Sequence, residues 1–275
     1  MKWAICNELF EGWDFARLVT FLAGLGYDGV ELAPFTLAET VDGISAPRRR
    51  ELRSIAADAG LAIAGLHWLL VNPEGLHLTS PEPAVRHRTI DYLRRLVDLC
   101  ADLGGEVLVF GSPKQRSALP GVDPTDARRW AVEGFTACGT HAAERGVTFC
   151  LEPLPKGLTD LLNTAAEACE MVREIGHPNV RMMLDVKGMS AEGRPLPELI
   201  RESRGLYRHI HANDANGKGP GFGAIDFAPI LGTLAQERYD GYVSVEVFDF
   251  SPDPETIARE SLRYMQKSLP QTLTQ

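Results

Sequence analysis

Short apolar runs alternate with longer amphipathic runs along the whole chain. In the longer runs apolar residues recur at helical spacing, and the first of them places Phe15, Leu18, Leu22 and Leu25 on one face. In the short runs apolar and β-branched residues are nearly continuous, which is typical of strands buried on both faces of a parallel sheet. This alternation predicts a series of βα units.

The pattern contains eight strand-like and eight helix-like runs. The predicted strands end at Ile5, Glu31, His67, Phe110, Glu152, Asp185, His211 and Glu246. Successive ends are 26 to 43 residues apart, which is enough for one helix and two loops in each unit. A chain of 275 residues is also close to the length of about 250 that is typical of an eight-stranded α/β barrel. We therefore predict an α/β fold, a single (β/α)8 TIM barrel, with residues 1–275 forming one domain.

The last four of these strands each end in a side chain that can bind a metal ion. These residues are Glu152, Asp185, His211 and Glu246. Because the active site of such a barrel lies at the C-terminal ends of its strands, we expect the four side chains to converge. Three carboxylates meeting without a cation would repel one another, so the set predicts a divalent metal site. Its donors suit Mn²⁺ first, with Mg²⁺, Co²⁺ or Zn²⁺ as alternatives. The alternative for each residue is an ordinary polar strand end.

Five further residues are candidates for binding a substrate: Glu31, His67, Trp68, Arg116 and Lys187. His67 and Trp68 end the third strand, where a tryptophan can stack on a sugar face. Glu31 can bind a hydroxyl group, and Arg116 can bind a carboxylate or phosphate. Each has a structural alternative, which is a core position for His67 and Trp68, a solvated strand end for Glu31, and a surface position for Arg116 and Lys187.

Three other polar residues near these strand ends are assigned structural roles. Asn7 and Glu8 follow the first strand at the barrel mouth, and although they can line a pocket, a solvated loop is the favoured role. His209 precedes His211 by two residues and therefore points inward one layer deeper in the barrel. A core histidine with satisfied hydrogen bonds is its favoured role.

Six short motifs span the chain: Gly29-Val-Glu-Leu-Ala-Pro34, Leu151-Glu-Pro-Leu154, Met183-Leu-Asp185, His209-Ile-His-Ala-Asn-Asp214, Gly219-Pro-Gly-Phe-Gly223 and Val243-Ser-Val-Glu-Val247. Together they resemble the xylose isomerase-like TIM-barrel superfamily of sugar isomerases and epimerases, in particular its ketose 3-epimerase and tagatose-epimerase branch. The resemblance implies that Glu152, Asp185, His211 and Glu246 are the metal ligands, and that Glu152 and Glu246 also exchange protons with the sugar. It implies an isomerase or epimerase that abstracts a proton next to the carbonyl of a ketose or related sugar and acts through an enediolate. Related barrels often pair, so a homodimer or homotetramer is compatible with it.

The chain departs from that family at three places that concern the substrate. Family members commonly have Asp-x-x-His after strand six, whereas this chain has Asp185-Val-Lys-Gly188, and we predict that Lys187 replaces the histidine. Asn216-Gly-Lys218 stands where many members have an arginine, and Lys156-Gly-Leu158 stands where a further carboxylate is common. These differences predict an intact metal centre that holds a different substrate from a plain ketohexose.

Composition limits the partners and the cellular location. The formal net charge is −9 and no basic run offsets it, so nucleic acid is not an expected partner. The five cysteines lack Cys-x-x-Cys spacing and fall mostly in apolar stretches, which suits a reducing cytosol. No stretch of about 18 apolar residues occurs, and the first residues lack the apolar run of a signal peptide. We predict a cytoplasmic protein whose partner is a small sugar, with no membrane contact.

Three other functions stay open as alternatives. A metal-dependent dehydratase or lyase acting on keto-inositols or 3-keto-glycosides would expel a hydroxide or an alkoxide from the same enediolate. A non-catalytic barrel that binds a sugar or a metal is the second alternative. A zinc endonuclease of the same superfamily is disfavoured, since it would need about three metals and more histidines than the seven present, and the net charge of −9 opposes DNA binding.

Overall fold

Eight parallel strands form a closed barrel and follow one another around it in chain order. The computed structural model describes residues 1–270, so the last five residues of the predicted domain lie outside the described range. The strands are β1 (Lys2–Cys6), β2 (Gly29–Leu32), β3 (Ala62–Leu66), β4 (Val107–Phe110), β5 (Thr148–Leu151), β6 (Val180–Asp185), β7 (Tyr207–Ala212) and β8 (Tyr242–Val245). The predicted TIM barrel is confirmed.

Nine α-helices occur within residues 1–270, and the long ones follow the strands as the apolar spacing predicts. They are α1 (Phe15–Leu25), α2 (Ala46–Asp58), α3 (Pro83–Leu103), α4 (Pro124–Arg145), α5 (Ala165–Ile175), α6 (Val186–Ser190), α7 (Leu196–Glu202), α8 (Ala228–Gln236) and α9 (Pro254–Lys267). The count of eight helices was wrong because α6 was not predicted. It begins directly after β6, since the Asp185 carboxylate accepts a hydrogen bond from the Gly188 amide and so caps a helical turn.

The core has two parts that follow from the alternation of side chains along each strand. Outward-facing side chains pack against the helices in one large cluster, while inward-facing residues form two separate buried clusters, one of Val107, Val109, Cys150 and Met183 and one of Ala4, Ala64 and Tyr242. The interior of the barrel is therefore filled with side chains. Two residues further along β5 and β6 the same inward face carries Glu152 and Asp185, so the polar site lies directly above the cluster that contains Cys150 and Met183.

Helix starts and ends are fixed locally, which holds the connecting loops in place. The Asp14, Asp123 and Asp253 carboxylates accept hydrogen bonds from the first-turn amides of α1, α4 and α9. Gly26 ends α1 with a φ of 97°, a left-handed conformation in which glycine is unstrained. Among the described helices, none is both long enough and apolar enough to span a bilayer.

Candidate metal centre

The four predicted ligands converge at the C-terminal mouth of the barrel. One ligand atom from each of Glu152, Asp185, His211 and Glu246 lies within 4.8 Å of the other three. His211 Nδ1 is 3.1 Å from Glu246 Oε2 and 4.0 Å from Glu152 Oε1. All four residues are buried. The structure thus brings together the set that the strand-end pattern singles out.

The register of the barrel explains this convergence. Asp185 and His211 are directly paired across β6 and β7, and their side chains share the inward face. Glu246 and Glu152 each lie one residue beyond a strand, but the Glu246 amide still donates to Ala212 O and the Glu152 amide to Phe110 O. These hydrogen bonds extend the strand ladders and fix both glutamates at the same level as the other ligands.

Mutual repulsion and burial perturb the ionisation of the three carboxylates. Burial and the Glu246 charge raise the pKa of Glu152 to about 8, and the same two causes raise the pKa of Asp185 to about 6. Burial also disfavours ionised Glu246, but the His211 charge outweighs it and lowers the pKa of Glu246. The cluster therefore lacks enough positive charge of its own to keep all three carboxylates ionised.

A divalent cation fits this donor set. His211 Nδ1 and Glu246 Oε2 are buried and lie 3.1 Å from each other, and neither atom makes a hydrogen bond of good geometry within the described chain, although buried polar atoms are normally satisfied. A cation would satisfy both atoms and would also remove the repulsion among the carboxylates. Carboxylate oxygens with one imidazole nitrogen match the ligands of Mn²⁺ and other hard or borderline divalent ions.

A second layer of side chains fixes the His211 ring from below. The His211 Nε2–H donates to Glu31 Oε1 at 3.2 Å, and the His209 Nε2–H donates to Glu31 Oε2 at 2.8 Å. Burial opposes ionisation of Glu31, but the neighbouring charges of His209 and His211 lower its pKa well below the usual value. Because Glu31 accepts the Nε2–H, the Nδ1 atom of His211 faces the other ligands, where it can bind a cation once it has given up its proton.

Asp185 is oriented by two donors of its own. One carboxylate oxygen accepts the Gly188 amide, and the other accepts the Asn213 side-chain amide at 2.6 Å. Asn213 is in turn fixed because its Oδ1 accepts the Lys187 backbone amide at 2.8 Å. The backbone of α6 and the end of β7 thus hold the Asp185 carboxylate in one orientation.

Gly111 leaves the space that the Glu152 carboxylate occupies. Phe110 pairs with Leu151 across β4 and β5, which sets Gly111 beside Glu152 at the barrel mouth. A Cβ atom at Gly111 would overlap Glu152 Oε2. The absence of a side chain at Gly111 is therefore a steric requirement of this carboxylate position.

A cavity of about 330 Å³ opens above the quartet, and it is named here the metal pocket. Glu152, Asp185 and Glu246 line it, and so do three of the predicted substrate-binding residues, His67, Trp68 and Lys187. The His67 Nε2–H donates to Glu8 Oε2 at 2.8 Å, and the Lys187 ammonium lies 4.5 Å from the centroid of the Phe248 ring. A polar floor and a partly apolar wall suit a sugar, since hydroxyl groups need donors and acceptors while C–H faces stack on rings.

Two predicted substrate-binding residues do not reach this pocket. Arg116 is fully buried, and its guanidinium donates to the carbonyl oxygens of Phe110, Glu152 and Leu162, so it fixes the backbone instead of a bound carboxylate or phosphate. Glu31 is also fully buried, and both of its oxygens are used by His209 and His211. The proposed contacts of Arg116 and Glu31 with substrate were wrong because burial and hydrogen bonding, invisible in the sequence, take up both side chains.

The favoured solvated role of Asn7 and Glu8 was also wrong. Asn7 is buried, and its side chain accepts the Ala33 amide at 2.7 Å and donates to Thr36 Oγ1 at 2.7 Å. Glu8 turns inward to His67, and this contact contributes to raising the pKa of His67 to about 9 against the opposing effect of burial. His209 is a buried histidine one layer below His211, where the sequence placed it.

Three residues of the site were not predicted: Gly111, Asn213 and Phe248. A signal for them was present in the sequence, because each lies two positions beyond an inward-facing residue in a strand or directly after one, namely Val109, His211 and Glu246. Side chains alternate between the two faces of a strand, and continuing this alternation past the end of each strand would have placed all three residues at the barrel mouth. Nothing in the sequence marked Gly111 as the neighbour of Glu152.

Comparison with known proteins gives consistent matches over nearly the whole chain. A family model described as "Xylose isomerase-like TIM barrel" matches residues 19–268. The chain is 30% identical over 239 residues to the D-psicose 3-epimerase of Ruminiclostridium cellulolyticum, and the alignment covers 86% of this chain and 78% of that protein. It is 22% identical over 272 residues to the 3-dehydro-D-guloside 4-epimerase of Escherichia coli, and the alignment covers 96% of this chain and 99% of that protein. The solved structure of D-psicose 3-epimerase with D-tagatose from Clostridium cellulolyticum superposes with a TM-score of 0.86 at 24% identity, covering 98% of this chain and 99% of that one.

Proposed function

Since the chain belongs to the xylose isomerase-like TIM-barrel family, we propose that it is a divalent-metal-dependent epimerase of a sugar that carries a ketone. The family and the isomerase class predicted from the sequence are confirmed by relatives that are sugar epimerases. The observation that carries the proposal is the convergence of Glu152, Asp185, His211 and Glu246 within 4.8 Å beside a pocket large enough for a sugar.

The two glutamates of the quartet are the proposed proton carriers. Glu152 follows β5 and Glu246 follows β8, so they approach the metal pocket from strands that are three apart around the barrel. Glu152 removes the proton from the carbon next to the carbonyl, and Glu246 returns a proton to the opposite face, which inverts that centre. Delivery to the neighbouring carbon instead would exchange a ketose with an aldose.

The other residues hold these two in place and line the pocket. A bound divalent ion would supply positive charge beside the carbonyl oxygen and so stabilise the negative charge that develops as the proton leaves. Asp185 and His211 complete the donor set, while Glu31 and Asn213 orient those two side chains. Trp68 and Phe248 line the pocket and offer apolar surface against which a sugar ring can pack. Mn²⁺ is the proposed ion.

The test combines metal analysis with proton exchange. Purified protein is analysed for bound metals, stripped with a chelator, and reloaded with Mn²⁺, Mg²⁺, Co²⁺ or Zn²⁺. Ketoses, keto-inositols and 3-keto-glucosides are then incubated in D₂O, and the hydrogen next to the carbonyl is followed by NMR. We expect metal-dependent exchange and an epimerised product. Elimination products would identify the dehydratase or lyase alternative, and binding without exchange would identify a non-catalytic barrel.

The location and assembly of the protein are part of the proposal. A cytoplasmic location and a homodimer or homotetramer stay predictions, to be tested by cell fractionation and by sedimentation of the purified protein. A small sugar remains the proposed partner, in keeping with the formal net charge of −9, which opposes binding to nucleic acid.

A further inference from the structure

The exposed large hydrophobic side chains of the described chain all lie at the barrel mouth. They are Phe35, Trp68, Val71, Leu158, Phe248 and Phe250, each between 38% and 57% exposed. Leu158 lines the metal pocket, and the other five line a second cavity of about 860 Å³ beside it. Apolar side chains concentrated in one concave region mark a binding site, whereas exposed hydrophobic residues scattered singly would not.

The second cavity is built from the ends of β1, β2, β3 and β8 and from the start of α1. Phe10 and Trp13 form part of its wall, with ring centroids 5.3 Å apart in an edge-to-face arrangement. Its charged lining residues are Glu8, Glu11, Asp14 and Arg48, so acidic groups outnumber basic ones by three to one. The cavity therefore favours an uncharged aromatic or apolar group and disfavours a carboxylate or a phosphate.

The two cavities meet at Trp68 and Phe248, which line both of them. The two rings lie 6.5 Å apart, centroid to centroid, at an angle of 63°. Trp68 has a φ of 53°, a left-handed backbone conformation that residues other than glycine rarely adopt. This conformation holds the indole at the junction, where one molecule can contact both cavities.

A free ketohexose makes poor use of this arrangement. The metal pocket, at about 330 Å³, is large enough for a single sugar ring, and a free sugar would leave the aromatic walls of the second cavity exposed to water. A sugar with an aromatic substituent would fill both cavities at once. If the substituent is attached at the anomeric carbon, the carbonyl that the reaction needs must be a ketone on another carbon of the ring.

We propose that the second cavity binds the aglycone of a keto-glycoside, and that this aglycone is uncharged and aromatic. The inference rests on the proposed function, because it places the ketone-bearing ring in the metal pocket. The aglycone lies beyond Trp68 and Phe248 and packs against the ring of Phe250 and the neighbouring aromatic walls. The substrate class is thereby narrowed from ketoses in general to aryl glycosides that carry a ring ketone.

The test compares two substrates that differ only in the aglycone. Phenyl and methyl 3-keto-β-glucosides are incubated with the Mn²⁺-loaded protein in D₂O, and KM is measured from the rate of proton exchange. We expect the KM of the phenyl compound to be about tenfold lower than that of the methyl compound, because roughly one face and one edge of the phenyl ring are removed from water in the second cavity. In Phe250→Ala and Phe35→Ala, whose side chains are already partly exposed, the ratio of the two KM values should fall towards one. Trp130→Ala, which removes an aromatic side chain from α4 outside both cavities, should leave the ratio unchanged.

An equilibrium measurement separates binding from turnover. Phenyl β-glucoside, which has no ketone, should quench tryptophan fluorescence of the Mn²⁺-loaded wild type, and Phe250→Ala should weaken that binding. Equal KM values for the two keto-glucosides, or exchange with free ketoses only, would overturn the aglycone assignment and leave the epimerase proposal intact. Absence of exchange with every carbonyl sugar would overturn the proposed function itself. A wild-type dimer that Phe250→Ala converts to a monomer would show that a second copy fills the cavity, and the aglycone assignment would be wrong.

Discussion

Glu31 Oε1 lies 3.2 Å from Nε2 of His211, while Nδ1 of the same ring lies 3.1 Å from Glu246 Oε2. The imidazole thus bridges a buried carboxylate below and the candidate metal centre above. This is the arrangement in which a carboxylate fixes the tautomer of a metal-binding histidine and raises its basicity. Because Glu31 is fully buried and does not line the metal pocket, it acts on the site through the rings it contacts, chiefly His211, while His67 Nδ1 lies farther away, 3.9 Å from Glu31 Oε1.

Glu31→Gln should weaken metal binding without unfolding the protein. Glutamine keeps the shape of the side chain but replaces one acceptor oxygen by an amide donor, which opposes the N–H of either His211 or His209. We expect Mn²⁺ affinity, measured by titration calorimetry, to fall by about 10- to 100-fold. The control is Glu170→Gln at an exposed position, which should bind Mn²⁺ like the wild type. Unchanged affinity in Glu31→Gln would refute the positioning role.

Glu246→Gln should separate metal binding from turnover. The amide can still offer an oxygen to a cation but cannot carry a proton, so proton exchange should fall by at least about 10²- to 10⁴-fold while part of the metal affinity remains. Solvent exchange by NMR gives the rate, and metal analysis gives the occupancy. Full activity in this variant would end the proposal that Glu246 is a proton carrier, and complete loss of metal would assign it to ligation alone.

Metal binding and the stability of the metal-free protein should respond to pH in opposite directions. Burial and the Glu246 charge raise the pKa of Glu152 from its usual value near 4.5 to about 8, so between these values the folded state holds a proton that the unfolded state has lost. The free energy of unfolding of the metal-free protein should therefore fall as pH rises from 6 to 8. The lowered pKa of Glu246 affects the free energy of unfolding only at pH values below this window. The raised pKa of His211, like that of Glu152, makes the free energy of unfolding fall as pH rises.

Mn²⁺ affinity should rise over the same window because the ion displaces the proton from Glu152. Chemical denaturation with and without Mn²⁺ at pH 6, 7 and 8 measures how the free energy of unfolding changes with pH. Calorimetry in buffers of different ionisation enthalpy measures the Mn²⁺ affinity at each pH and counts the protons that are released on binding. Metal affinity that is independent of pH from 6 to 8 would contradict the prediction, and Glu152→Gln should reduce the dependence, leaving the part that comes from His211.

The barrel was predictable from the sequence because its signal is repeated eight times, whereas the surroundings of the site depend on single contacts. Strand ends such as Asp185 and His211 are marked by an apolar run that stops at a charged or imidazole side chain. Arg116 and Glu31 carry the same kind of side chain as a binding residue, and only the burial of both shows that they serve the structure. Glu8 reaches His67 across a separation of 59 residues, which no local pattern encodes.

Gly111→Ala should perturb the metal centre through Glu152. The added methyl group would overlap Glu152 Oε2, and since Gly111 has no left-handed φ, the effect is steric only. The carboxylate must move, so we expect Mn²⁺ affinity and exchange rate to fall at least about tenfold, as for other changes that misorient a ligand. Gly24→Ala is the control, because nothing lies within 4 Å of the added atom in α1, and it should stabilise the protein by about 0.5 to 1 kcal/mol. Equal metal affinity in both variants would show that Glu152 has room to adjust.

Arg116→Met tests whether Arg116 serves the fold or the substrate. The guanidinium is fully buried and donates to the carbonyl oxygens of Phe110, Glu152 and Leu162, at 3.4, 2.6 and 3.3 Å. Burial lowers its pKa to about 10, so it stays charged near neutral pH. Methionine would fill similar space but leave these acceptors unpaired, and we expect the free energy of unfolding to fall by about 3 kcal/mol.

The matched control for Arg116→Met is Arg50→Met at an exposed position, which should change stability by less than about 0.5 kcal/mol. Denaturant unfolding of both variants measures the difference. If Arg116 instead held a substrate anion, its loss would raise KM and leave stability near that of the control. Because one of its acceptors is the Glu152 carbonyl, we expect kcat to fall along with stability, since the backbone that carries the proposed proton acceptor loses its support.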